Sequence, residues 1–290
     1  MNDPNQVFRL CAFADEAAAD GAGQIQALRN NGIGLLELRS LDGVNIAALS
    51  EDSAKRFRDE LDRSGIRVWS IGSPAGKSPI TADFGQEERQ FEHLLHMAEI
   101  FDAPCIRLFS FYGTGGEERY FPEICRRMEV FVRMAKSGGV IPCHENEKGI
   151  WGDIASRCLA LHREVPGLSA VFDPANFIQC GQDVPAAYEL LEPYILYGHI
   201  KDCDSSGRVV PPGEGIGALR EYLPRLARHA GTSGLVLTLE PHLAEFVGLQ
   251  GLEEDGDRSE VGQVWHFESN RAAFDCAADS LKGIIESIHP

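Results

Sequence analysis

The feature that most constrains the fold is an alternation, repeated eight times along 290 residues, of short apolar runs and longer helix-like segments. The apolar runs cover residues 7–13, 33–39, 66–72, 104–110, 140–145, 168–173, 195–199 and 234–240. Short runs of this kind read as strands buried on both faces, the pattern of a parallel sheet. Helical stretches lie between them at 17–31, 51–64, 84–101, 117–137, 153–165, 184–191 and 218–230, and 267–288 closes the series. Gly32, Gly65 and Gly138 follow helices, where a left-handed cap favours glycine. Eight β/α units of about 30 residues predict a single α/β domain over residues 1–290, a closed (β/α)8 barrel. An open doubly wound sheet fits less well. The first strand runs into AFADEAAADGAG, which does not match the GxGxxG phosphate turn.

The ends of the later strands are chemically unusual. Glu145, Asp173, His199 and Glu240 each close an apolar run. An acid or imidazole is costly at the end of a strand that stops inside a core. It is reasonable where parallel strands end together at one mouth, the end of such barrels that carries active sites. Three carboxylates and an imidazole gathered there would repel one another unless a divalent cation sat between them. Each residue alone has a plainer reading. Asp173 before Pro174 suits a turn, Glu145 in HENEKG suits a solvated loop, and His199 suits a hydrogen-bonded core histidine.

One segment breaks the rhythm. Residues 246–266 (FVGLQGLEEDGDRSEVGQVWH) form an excursion too long for an ordinary connection, acidic at its centre and apolar at its ends. It reads either as a surface loop or as a lid or oligomer contact at the mouth.

Composition narrows the partners. A net charge of −17 repels phosphate backbones and anionic lipid, which argues against nucleic acid and membrane surfaces. No apolar run reaches the roughly 18 residues that span a bilayer. The N-terminal MNDPNQVFRL lacks the basic start and apolar stretch of a secretion signal. The eight cysteines form no CxxC pair and several sit in apolar runs, so buried reduced thiols in a cytoplasmic protein are expected.

The strand-end phrases HENEKGIWGD, FDPANF, GHIKD and LEPHL resemble those of the sugar phosphate isomerase/epimerase family, the xylose isomerase-like TIM barrels. The resemblance runs from the FADE segment to the last helix and is more specific in the second half. It implies one divalent metal ion held by Glu145, Asp173, His199 and Glu240, with Glu145 and Glu240 also acting as the catalytic acid/base pair. In such enzymes a proton leaves the carbon beside a carbonyl, and a Lewis acid stabilises the enediolate. One carboxylate takes the proton and the other returns it on the opposite face. Oxygen-rich ligation favours Mn²⁺ or Mg²⁺, and the single imidazole also admits Zn²⁺ or Co²⁺.

Neighbouring residues are candidate substrate contacts. Lys201 lies on the same side of an extended segment as His199 and could neutralise an enolate, or be a surface lysine. Asn176 stands where some family members carry a sugar-contacting histidine. His242 follows Glu240 by two and could point into the mouth or be a loop histidine. Arg39 and Glu37 share one face of the second strand and are expected to pair with each other, with substrate contact as the alternative. Trp151 could wall a sugar ring or pack under the loop. In PPGEGIG (211–217), glycine N–H groups could approach an anion, and Arg208 could add charge.

The expected function is therefore a metal-dependent isomerase or epimerase of a small sugar or keto-polyol, with a homo-oligomer left open. A lyase or dehydratase acting on a keto-sugar or inosose shares the same first step. An endonuclease IV-like nuclease would need further strand-end histidines, whereas strands two, three and four end at Arg39, Gly72 and Ser110. A non-catalytic sugar-binding barrel would have no need of four metal-type residues.

Overall fold

The computed structural model describes residues 7–228, 234–246, 260–262 and 264–288. Eight parallel strands close into a barrel. They are β1 (Phe8–Ala12), β2 (Leu35–Leu38), β3 (Arg67–Ile71), β4 (Cys105–Leu108), β5 (Ile141–Glu145), β6 (Ser169–Phe172), β7 (Ile195–Ile200) and β8 (Leu235–Leu239). Each pairs with its neighbours in sequence, and β8 closes onto β1, from Phe8 beside Leu235 to Ala12 beside Leu239.

The surrounding helices are α1 (Gly21–Asn30), α2 (Glu51–Ser64), α3 (Phe84–Phe101), α4 (Phe121–Ser137), α5 (Ala155–Glu164), α6 (Pro174–Gln179), α7 (Val184–Leu191), α8 (Leu219–Ala227) and α9 (Asn270–Ile288). α2 shows why the sequence pattern is readable. Ser50 caps its first turn by accepting from Ser53 N–H, and Gly65 ends it at φ +70°. Ala54, Phe57 and Leu61 recur at helical spacing and bury one face.

Three features were not anticipated. Residues 40–41 and 44–45 form a small antiparallel hairpin after β2, and 202–203 pair with 209–210 after β7. The six-residue α6 begins directly after Asp173. The end of the helix expected at 218–230 falls partly outside the described residues.

Alternation along the strands divides the barrel into two apolar layers. The larger packs strands against helices. The smaller, inside the barrel, contains Cys11, Leu35, Cys105, Cys143, Val171, Tyr197 and Val236. Two residues further along four of the same inward faces come Glu37 (β2), Arg107 (β4), Glu145 (β5) and His199 (β7). The interior thus changes from apolar to charged toward the C-terminal ends of the strands. All eight cysteines are free thiols. Among the described residues no helix is long and apolar enough to cross a membrane.

The outer layer holds two neutral histidines. His162 on α5 stacks on Tyr194 at 4.9 Å, and its Nδ1 lies 3.1 Å from the Leu168 carbonyl. Burial pushes it down to about 4, with the Leu168 contact opposing. Burial, helped by His162, also pushes His144 well down. A histidine whose pKa falls on folding binds protons more readily when unfolded. Its stabilising contribution is complete above about pH 6.5 and is lost as pH falls toward 4. From His162 alone the loss at pH 5 is about 2 kcal/mol. Urea denaturation at pH 7 and pH 5 should show this loss, and His162→Asn should flatten the slope. Equal slopes in the two proteins would remove His162 from the account.

Candidate metal centre

The barrel brings the four strand-end residues together. Glu145 is the last residue of β5, Asp173 follows β6, His199 is the penultimate residue of β7, and Glu240 follows β8. One donor atom from each lies within 4.8 Å of all the others, and all four residues are buried. His199 Nδ1 is 2.9 Å from Glu145 Oε1 and 3.0 Å from Glu240 Oε2. Burial alone would lower the imidazole's pKa; Glu145, Glu37 and Glu240 together hold it well above the usual value.

The orientation of His199 is fixed from behind. Its Nε2 faces Glu37 Oε2 at 3.2 Å. Glu37 Oε1 accepts from the Tyr197 hydroxyl at 2.8 Å, and that hydroxyl lies 3.2 Å from Ser70 Oγ. Despite its burial, His199, Arg107 and Tyr197 keep Glu37 below the usual carboxylate range. A carboxylate behind the remote nitrogen is the arrangement that turns the other nitrogen toward a metal.

Asp173 has two roles. Its Oδ1 caps α6 by accepting from Asn176 N–H at 3.0 Å. Its Oδ2 faces the cluster, 2.9 Å from Lys201 Nζ. Burial raises Asp173 to about 6, with Lys201 pulling it back and Glu145 and Glu240 adding repulsion. Burial would raise Glu240 too, but Lys201 and His199 hold it well below the usual range.

The donor set suits a divalent cation. Glu145 Oε2, Asp173 Oδ2 and Glu240 Oε2 are buried and accept no hydrogen bond of acceptable geometry. Each is ion-paired instead: Glu145 Oε2 lies 3.2 Å from Arg107, Asp173 Oδ2 2.9 Å from Lys201, and Glu240 Oε2 3.0 Å from His199. One oxygen from each of three buried acids that accepts no hydrogen bond, beside one imidazole nitrogen, matches the ligand needs of a hard divalent ion.

The other sequence candidates fall into place around this centre. Lys201 is a buried partner of Asp173, not a surface lysine; burial opposes its charge, but Asp173 and Glu240 outweigh it and hold it well above its usual value. Asn176 donates to the Asn146 carbonyl at 2.8 Å and to Glu145 Oε1 at 3.4 Å. His242 is 7% exposed, adopts φ +49°, and has neither ring nitrogen hydrogen-bonded; Nε2 lies 3.5 Å from both Glu16 and Glu240. Trp151 is buried and stacks on Phe121 at 5.2 Å, so it packs under the loop.

The expected Glu37–Arg39 pair is not what forms. Glu37 turns to His199 and Tyr197. Arg39 donates to both oxygens of Asp15, at 3.0 and 2.9 Å, to Glu16 at 3.2 Å and to Glu240 at 3.0 Å. Its guanidinium lies between the Phe13 and Phe246 rings, 4.3 and 4.6 Å from their centroids. Side chains two apart share a face, but Arg39 lies just past the end of β2, within reach of Asp15 and Glu16 beyond β1 and of Glu240 beyond β8.

Glu16, Glu240 and His242 also lie within 4.8 Å of one another. The Arg39 guanidinium already contacts Glu16 and Glu240 there.

Nor do the PPGEGIG glycines face an external anion. Gly213, Gly215 and Gly217 donate their N–H groups to the Asp202 carboxylate at 2.9, 3.2 and 2.8 Å. A Cβ on Gly215 would sit 2.3 Å from Asp202 Oδ1, so the loop is built around that carboxylate. Arg208 pairs with Glu260 at 3.2 Å, on the exposed surface.

The predicted excursion is described only in part, and Val247 and Leu249 lie outside the described residues. Phe246 is buried against His242 and Arg39. Val209 donates to the Glu260 carbonyl and accepts from Gly262 N–H, both at 2.8 Å, so the returning chain pairs with the hairpin that follows β7. Val264 is 82% exposed and Trp265 is half-buried.

Several contributors escaped the sequence reading. Arg107 approaches Glu145 at 3.2 Å and Glu240 at 3.8 Å. Asn146 exchanges hydrogen bonds with the Asp173 backbone at 2.8 and 3.0 Å. Lys77 and Glu147 pair at 3.1 Å, and Lys77 lies 4.4 Å above the Phe109 ring. A guanidinium inside the apolar run CIRLF was the available signal for Arg107. Asp15 and Glu16 follow the first strand, just as Asp173 and Glu240 follow theirs.

A family model described as xylose isomerase-like TIM barrel matches residues 25–253. No curated protein matches the sequence. Solved structures match over almost the whole chain. The IOLI protein with a bound zinc atom aligns at TM-score 0.73 and 12% identity, covering 97% of this chain and 99% of its own. An L-ribulose 3-epimerase aligns at 0.72 and 16%, covering 98% and 95%. The probable 3-DHS dehydratase AsbF of Bacillus anthracis, involved in petrobactin synthesis, aligns at 0.71 and 17%, covering 95% and 98%.

Proposed function

Because the chain belongs to the xylose isomerase-like TIM barrel family, we propose that it is a divalent-metal-dependent isomerase or epimerase of a sugar or related keto-polyol. The observation that carries this reading is the convergence of Glu145, Asp173, His199 and Glu240, with one oxygen from each acid that accepts no hydrogen bond. These four residues would hold the ion, with Mn²⁺ or Mg²⁺ favoured by the oxygen donors and Zn²⁺ or Co²⁺ admitted by His199. When bound, the ion supplies Lewis acidity to substrate oxygens beside the carbon that loses a proton.

The chain's own groups do the proton work. Glu145 and Glu240 reach in from β5 and β8, three places apart in the barrel order. One takes the proton from one face of the carbon and the other returns it on the opposite face. Arg107 lies 3.2 Å from Glu145, and Lys201 and His199 hold Glu240 below the usual carboxylate range despite its burial. His242, whose Nδ1 accepts and donates no hydrogen bond, and Lys201 are the groups we assign to substrate oxygens. Arg39, Asn176 and Trp151 hold the centre in shape. The free thiols suit a reducing cytoplasm.

A second reading keeps the same first step and expels water or a substituent from the intermediate. It is favoured by the likeness to a probable dehydratase as well as to an epimerase. Nuclease chemistry suits neither the −17 net charge nor the single imidazole in the cluster.

One experiment tests both the class and the metal. The metal-loaded protein is incubated with ketoses and keto-inositols in D₂O. Deuterium is expected on the carbon beside the carbonyl, with loss of exchange after chelation and recovery on adding Mn²⁺ or Mg²⁺. A rearranged product then marks isomerase or epimerase, and an unsaturated product marks lyase. Absence of exchange across the whole panel would overturn the proposal.

A further inference from the structure

The N-terminal end of the barrel, opposite the metal centre, carries a cavity of about 370 Å³. Arg9 of β1, Leu35 of β2, and Arg67 and Trp69 of β3 line it, with Leu61 of α2 and Phe101 of α3 as further apolar wall. Such a volume suits a small molecule.

The charges in this cavity are unbalanced in a specific way. Arg58 at its edge is already matched: Nε lies 3.1 and 3.0 Å from the two Asp62 oxygens, and NH1 donates to the Ile100 carbonyl at 2.8 Å. Arg9 and Arg67 are different. Among the described residues neither side chain has an ion pair or a hydrogen bond, although the chain carries 44 acids against 27 basic residues. Asp102 also lines the cavity without pairing to either. Arg9 lies over the Trp69 ring, 5.7 Å from its centroid. Burial, and then the Arg67 charge, pull the Arg9 guanidinium below its usual range. The Trp69 indole N–H is buried with no acceptor. Arg67 is exposed and Arg9 half-buried, so water solvates both guanidinium groups; the buried Trp69 donor without an acceptor is the unfavourable feature. An oxyanion would supply the missing acceptor and meet both cations, because guanidinium forks and an indole N–H are donors only.

We propose that this cavity binds a small organic oxyanion, a carboxylate or phosphate carried on an apolar or planar body. The guanidinium groups of Arg9 and Arg67 and the Trp69 N–H would meet the anion, and Leu35, Leu61 and Phe101 the body. The site is independent of the metal centre and of the reaction proposed there.

The test titrates the full chain with phenyl phosphate and with benzoate at constant ionic strength, following tryptophan fluorescence and thermal stability. A saturable response to at least one probe is expected, and the stronger of the two identifies phosphate or carboxylate as the preferred group. Arg9→Gln and Arg67→Gln should each weaken binding, and the double variant by about tenfold or more. Unliganded, the variants should melt no lower than the wild type, since a repulsion has been removed. If the double variant does not fold, the single variants carry the comparison. Glu145→Gln, at the other end of the barrel, should leave binding unchanged. No saturable response to either probe up to about 10 mM would overturn the proposal. So would equal affinity in the wild type and both single variants.

Discussion

Glu145→Gln and Glu240→Gln should each lower turnover by about 10²- to 10⁴-fold at matched metal occupancy, the range for loss of a positioned acid or base. The two carboxylates share one imidazole, 2.9 and 3.0 Å from His199 Nδ1, but differ in their other partners. Arg107 sits nearer Glu145 than Glu240, at 3.2 against 3.8 Å; Asn176 contacts Glu145 alone, and Arg39, His242 and Lys201 contact Glu240. An amide keeps the shape and one acceptor oxygen but cannot take a proton at neutral pH. The informative readout is exchange on each face separately. If each carboxylate serves one face, each variant should still wash deuterium into one stereoisomer while failing to form the other. Wild-type turnover in either variant would contradict the assignment, and loss of exchange from both stereoisomers in one variant would make that carboxylate the only base.

Most of the barrel was legible because parallel strands are buried on both faces and read as apolar runs. All eight expected helices reappear, with 51–64, 84–101 and 184–191 matching in both bounds. α6 was not legible: it is six residues long, and its cap, Asp173, already read as a strand end before a proline. The two-residue hairpin strands are too short to show a period. At the site, the four clustered residues were legible one by one because each stands where an apolar run stops. Their supports were not. Arg107 reaching Glu145 and Glu240, or Tyr197 holding Glu37 behind His199, are pairings between different strands, and nothing local in sequence records them. Arg39 was noticed, but two residues' spacing suggested the wrong partner. The PPGEGIG glycines, offered as a possible anion site, instead build their turn around the chain's own Asp202.

Arg39→Met should be the most destabilising single change at the mouth. Arg39 is 1% exposed and bonds three carboxylates, from Asp15, Glu16 and Glu240. Burial opposes its charge, yet Asp15 and Glu16 outweigh that cost and raise the guanidinium far above its usual range. Burial already pushes Glu16 up, with His242 and Arg39 opposing, so removing the cation leaves a carboxylate that folding disfavours. Breaking one partner of a buried ion pair costs about 3–5 kcal/mol, because the remaining charge is dry and uncompensated. For a chain of this size that is a fall in melting temperature of roughly 10 °C. Lysine should rescue little, since an ammonium lacks the planar fork that contacts both Asp15 oxygens. Asp15→Asn placed on Arg39→Met should recover part of the loss, because it removes one unmatched charge. Bound metal should recover another part, since it supplies positive charge to Glu240. The measurements are melting curves with and without Mn²⁺ for the single and double variants. An Arg39→Met protein as stable as the wild type would mean that the three acids are satisfied by other groups, and Arg39 would return to the list of substrate contacts.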